Sequence, residues 1–314
     1  MQTTLLYYGK LPAFGDFVRY NASLPEIQWF DQWIQEGLYI SQKRLNPAGK
    51  LIYASSPVYN FLLSFQDTET FVTGLMKPSN DKVGRKFPFI VALRIPDSIL
   101  RPDYKPLLPV MYRSFYTEAY SFAEAGSSGT TSEDLQERAA YMKESVMLDE
   151  IAYRRYCTTL RNTSAVDFLT DIWDTDNGNE KNLFMNNIIS MGKYIREHDP
   201  DKIDFGFRFP LDAKSHDAHT VASYWIQLFY SYFNKRSFHP FIFWDTSNMF
   251  YFTRQPSPGT LTCMIQPDRR GQEIYVMDSD GVHGDNEHNT TGQLAGILTG
   301  NKITLDRLLE AVGK

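Results

Sequence analysis

Two glycine-bounded segments hold the residues whose types and spacing could support binding chemistry. The first, Gly9-Lys10-Leu11-Pro12-Ala13-Phe14-Gly15-Asp16-Phe17, places Lys10 and Asp16 between glycines that free the backbone for unusual angles. The second, Lys77-Pro-Ser-Asn-Asp-Lys-Val-Gly-Arg-Lys86, carries three lysines and Arg85 against the single acid Asp81. Backbone N–H groups and cations in such loops cradle an anion, or an acidic segment of another protein. The alternative is local: Asp81 closes a turn, and Lys10 or Arg85 pairs with Asp16 or Asp81.

Bond-making chemistry finds little support. Gly126-Ser-Ser-Gly-Thr-Thr lacks the lysine of a phosphate-binding loop, and neither GxGxxG nor GxSxG occurs. His216 and His219 lie three apart beside Asp217, a spacing that can offer two nitrogens to a metal. A zinc site needs a third ligand, and acids at a helix start suit capping better. Counted from Asp278 or Asp174, a calcium loop fails at its sixth position, where His283 and Asn179 replace glycine. Cys157 and Cys263 form no CxxC pair, so a reducing compartment is the default. No catalytic residue, metal or cofactor is expected.

The elements that must position the loops are legible in outline. Leu5–Tyr8 reads as a strand running into the first loop. Ser23-Leu-Pro-Glu26 has the pattern of a capping box, followed by Ile27, Phe30, Ile34 and Leu38 at helical spacing. Strands at Thr70–Met76 and Phe87–Ile95 flank the second loop, and Phe89-Ile-Val-Ala-Leu93 is apolar without alternation, which predicts cover on both faces. Helices follow at Tyr112–Ala125, from Thr131, at Leu183–Ile195 and at His219–Asn234, the last rich in aromatics around Tyr224–Tyr232. Ile203–Phe209 alternates, and Phe238–Trp244 with Met249–Thr253 reads as a hairpin about Asp245-Thr-Ser-Asn248.

With 314 residues, 42% of them hydrophobic, the chain can bury a large core, and a net charge of −5 argues against a broad nucleic-acid footprint. The 15% aromatic content serves large cores or protein contacts. No signal-peptide pattern and no apolar run of spanning length occur, so neither export by that route nor membrane insertion is expected. The division expected is an N-terminal α/β domain over 1–135, a helical connector over 136–200, a C-terminal α/β subdomain over 201–277, and a mobile segment with a short helix over 278–314.

The same two loops carry a family resemblance. Gly9-Lys10-Leu11-Pro12 with Gly15-Asp16-Phe17, Phe30-Asp31-x-Trp33, Ser55-Ser56-Pro57-Val58-Tyr59, and Gly74-Leu-Met-Lys77-Pro78-Ser79 with Asp81-x-Val83-Gly84-Arg85-x-Phe87-Pro88 together resemble the TagF (ImpM) proteins. That resemblance implies a cytoplasmic accessory protein of the bacterial type VI secretion system. It would be no enzyme, but a post-translational repressor that binds components of the apparatus such as a forkhead-associated-domain scaffold. It also implies an α+β fold, three layers in α/β/α order about an antiparallel-rich, longin- or profilin-like sheet, here joined by a second, smaller α/β subdomain. Lys10, Phe14, Lys77 and Arg85 are then the candidate partner-binding residues, and Gly9, Gly15, Asp16, Asp81 and Gly84 the candidates that shape the loops. A sensor or enzyme holding an anionic ligand or nucleotide at loops 9–17 and 77–86 is the alternative, and a binding face around Tyr224–Tyr232 a third.

Overall fold

In the computed structural model, which describes residues 3–45, 53–126, 130–173, 178–198, 202–232, 239–268, 273–279 and 303–312, the predicted strands line up in one sheet. Its members are β1 (Thr4–Gly9), β2 (Val18–Tyr20), β3 (Tyr59–Phe65), β4 (Thr70–Lys77), β5 (Phe89–Pro96), β6 (Gly206–Pro210), β7 (Phe241–Trp244), β8 (Asn248–Phe252) and β9 (Ile274–Val276). The spatial order is β2-β1-β5-β4-β3-β7-β8-β6-β9, antiparallel throughout except for the parallel β6–β9 pair. Strands from the second half of the chain continue the sheet of the first, because β7 pairs with β3 and sets Asn60 opposite Trp244.

Period-two alternation sorts the side chains into two cores. On one face Leu6, Tyr8, Phe61, Leu63, Val72 and Ile90 pack under α1 (Pro25–Leu45) and a short helix that later closes the chain over it. On the other, Leu5, Tyr7, Leu62, Phe71, Leu75 and Val91 meet most of the remaining helices. These are α2 (Leu108–Met111), α3 (Arg113–Glu124), α4 (Ser132–Ser145), α5 (Glu150–Asn162), α6 (Ala165–Trp173), α7 (Gly178–Glu197) and α8 (Ala218–Tyr232). The short helix over α1's core is α9 (Leu261–Ile265), and α10 (Leu305–Val312) joins the larger cluster through Leu305 and Leu308. The result is the expected α+β sandwich of three layers. Phe89 to Leu93 is buried along its whole length, as its unbroken apolar run requires.

One local expectation is overturned. Glu26 does not close a capping box with Ser23; it turns inward, accepting from Thr70 Oγ1 at 2.7 Å and Arg94 Nε at 3.0 Å. Burial would raise its carboxyl, but hydrogen bonds from Thr68 and Thr70 and the Arg94 charge hold it below its usual value. The start of α1 is thus pinned to β4 and β5 through Glu26. By contrast Thr131 does cap α4, in a reciprocal box with Asp134. Of the segment expected over 278–314, residues 280–302, His283 among them, and 313–314 lie outside the described residues.

Candidate functional site

β1 ends at Gly9, where φ is +135° and a side-chain Cβ would stand 2.1 Å from the Pro88 carbonyl oxygen, so no larger residue fits the turn. The chain leaves the sheet there, makes the first loop, and returns as β2 along β1. The second loop leaves β4 and comes back towards β5 through an Asn80–Lys86 bridge, with Gly84 at φ +86° near its tip.

Asp81 joins the two loops. It is fully buried, and its Oδ2 meets Lys10 Nζ at 3.0 Å and Arg85 Nε at 2.6 Å. Its Oδ1 accepts from the backbone N–H of Val83 and of Arg85, which shapes the turn. Arg85 then reaches across to donate Nη2 to the Gly15 carbonyl at 2.6 Å, and Lys82 N donates to the Phe14 carbonyl at 2.8 Å. Burial acts to raise the Asp81 carboxyl; hydrogen bonds from Lys10 and Arg85 overcome that and hold it well below the ordinary carboxylate range. Both cations therefore take the local-pair alternative with Asp81 as the acid, while Asp16 bonds the adjacent Phe17 N–H.

The candidates differ in what remains accessible. Lys10 is 6% exposed and also lies 5.0 Å above the Phe17 ring, so it belongs to the interior of the loop pair. Arg85 keeps 57% of its side chain exposed. Phe14 is half-buried against the larger core. Lys77 stands apart, paired with Glu124 of α3 at 2.6 Å. Gly15 needs no special angle, since a Cβ there meets nothing within 4 Å; its carbonyl is what the loop uses.

Several residues at this place escaped the sequence reading. Val83, at the loop tip, is 72% exposed, and Tyr39, on the outer side of α1, is 60% exposed. The signal for Tyr39 was present: it is an aromatic on the polar side of a helix whose apolar positions are Ile27, Phe30, Ile34 and Leu38. Between α1 and residues 84–87 runs a groove of about 670 Å³ whose lining includes Gln35, Tyr39, Gln42, Arg85 and Lys86.

The histidine pair has structural work. Asp217 accepts from the N–H groups of His219 and Thr220 and so caps α8. His216 Nδ1 lies 3.0 Å from Asp171 Oδ2, and His219 stacks on Tyr116 and accepts from Trp244 Nε1. Burial pushes the His219 imidazole down to about 4. Among the described residues no group of three or more His, Cys, Asp or Glu surrounds a common metal position. Tyr224, Trp225 and Phe229 of α8 are core residues, each 1% exposed or less. Among the described residues no helix is long and apolar enough to cross a membrane.

Comparison with known proteins bears on the same region. The family model of the TagF N-terminal domain, described as type VI secretion system-associated, matches residues 7–142. No curated protein matches the chain. Among solved structures, the crystal structure of PA0076 from Pseudomonas aeruginosa PAO1 is similar at 26% identity and a TM-score of 0.38, over 44% of this chain and 62% of that one. The chain thus spans less than two thirds of that protein. Both loops fall inside the matched range, and residues 7–142 carry a TagF N-terminal domain, a type VI secretion system-associated module.

Proposed function

We propose that this protein regulates the type VI secretion system after translation, as a repressor that binds a protein component of the apparatus in the cytoplasm. It works by holding a partner and not by catalysis. The observation that carries the proposal is the locked pair of loops: Asp81 ties Lys10 and Arg85 together, and the backbone link from Lys82 to Phe14 fixes the two turns against each other. A surface fixed in this way binds without the entropic cost of ordering its own loops. Exposed Val83 supplies an apolar anchor, with exposed Lys82 and Arg85 beside it for charge complementarity. A forkhead-associated-domain scaffold is the partner class that the family resemblance implies.

The test avoids the buried pair, whose loss would disturb the fold. Val83→Asp combined with Lys82→Glu alters only exposed tips of the loop. In a strain with an active secretion system, that variant is expected to lose co-purifying secretion components and to stop repressing export, with an unchanged melting temperature. Undiminished co-purification would remove this loop tip as the docking face.

A further inference from the structure

We propose that the groove between α1 and residues 84–87 seats an extended, acidic segment of a protein partner. The inference rests on the docking role proposed above and adds the chemistry of what is docked. Charge is the first ground. The described lining of the groove contains Lys10, Arg85 and Lys86 and no Asp or Glu, in a chain whose net charge is −5. Asp81, which answers Lys10 and Arg85, is wholly buried and is not among the lining residues, so the face offered to a partner is basic.

Shape is the second ground. The α1 wall runs from Gln35 to Leu45, ten steps along the helix or about 15 Å at 1.5 Å per residue. An extended chain of roughly four or five residues covers that distance. Gln35 and Gln42 bring side-chain amides to pair with a peptide backbone, while Phe17, Leu38 and Phe87 give an apolar floor for one bulky side chain. A small anion is the weaker fit. Such sites rely on a few polar groups converging in a closed pocket, and the one buried cation here, Lys10, is already committed to Asp81 at 3.0 Å. Arg85, which shares Asp81 but keeps 57% of its side chain exposed, stands on the rim, where charge confers specificity and association rate for a macromolecular partner.

Binding of the full-length protein to a fluorescein-labelled peptide of about ten residues, rich in Glu and Asp with one Phe, tests the proposal by fluorescence anisotropy. Saturable binding is expected, weakened by salt, with the Gln/Asn counterpart at least about tenfold weaker. Gln42→Glu puts a carboxylate into the groove away from the Asp81 cluster. It is expected to weaken the acidic peptide at least about tenfold while the melting temperature holds. Equal binding of the amide peptide, or no effect of Gln42→Glu, overturns the proposal. Displacement of the peptide by submillimolar ATP or inorganic phosphate overturns it too, in favour of a small anion. The two readings fail separately. A Gln42→Glu protein that still captures secretion components leaves the regulatory role and removes the groove; a wild-type protein that binds the peptide but captures none keeps the groove and removes that role.

Discussion

At the scale of single residues, Asp81 organises the site. A buried carboxylate is tolerated only where charge and hydrogen bonds replace the water it lost. Asp81 has two cations and two backbone N–H groups, and Lys10 depends on it in turn. This has a pH signature. The folded-state carboxyl lies below its usual value of 3.8, so as pH falls through that value the unfolded chain takes up a proton while the folded one resists. The contribution of Asp81 is therefore complete above about pH 4 and is lost progressively below it. Asp81→Asn is expected to lower the urea midpoint at pH 7, with the gap to wild type narrowing as the pH approaches 3. A gap that stayed constant over that range would show that the charge of Asp81 contributes nothing. His219 acts in a different window. Its imidazole falls from 6.5 to about 4 on burial, so wild-type stability should decline as pH drops between those values, and His219→Gln should flatten that part of the curve alone.

At the scale of elements, local signals and tertiary demands can be compared helix by helix. Thr131 and Asp134 satisfy each other's backbone groups at the start of α4, where Thr131 Oγ1 accepts from Asp134 N at 3.2 Å and Asp134 Oδ2 from Thr131 N at 2.8 Å. Thr131→Ala is expected to cost about 1 kcal/mol in urea unfolding, the ordinary value of a lost cap. Thr131→Asn, which keeps a side-chain acceptor, should recover most of that. The helix start at Thr131 was legible in the sequence, and the box that sets it is local, its partners three residues apart. The similar spacing of Ser23 and Glu26 misled, because Glu26 answers Arg94, 68 residues away, and no local pattern carries that information. The same distinction explains what else could be read. β5 announced itself by an unbroken apolar run. β2 is only three residues long, and α5 buries just the narrow stripe Ala152, Tyr156 and Leu160 amid charged neighbours, so neither stood out. At the site, composition revealed both loops and even the local-pair alternative. Which acid would take both cations depended on folding bringing Lys10 to Asp81 across 71 positions.

At the scale of the whole molecule, the sheet raises the question of where the TagF N-terminal domain ends as a physical object. The matched range stops at residue 142, yet the core beneath α1 is completed by residues about a hundred positions later. Trp33 stacks on Phe243 at 5.3 Å and 12° between ring planes, and donates its indole N–H to the Ser257 carbonyl. Ser41 bonds Thr262, Tyr59 donates to the Met264 carbonyl, and β3 gives its outer edge to β7. Stripping this cover would leave the β3 edge unpaired, a template for aggregation, and would expose Trp33 and Phe61. Each large side chain returned to water costs about 1.5–3 kcal/mol, against a total stability of about 5–15 kcal/mol for a typical domain. A fragment of residues 1–145 is therefore expected to aggregate on expression or to elute as large species in size-exclusion chromatography. The full chain should instead lose tryptophan fluorescence and far-ultraviolet dichroism together in one urea transition, because β3 and β7 cannot separate without opening both cores. A soluble, monomeric 1–145 fragment with native-like dichroism would mean that the cover from Phe243 to Met264 is dispensable, and that the continuous sheet joins two units able to fold on their own.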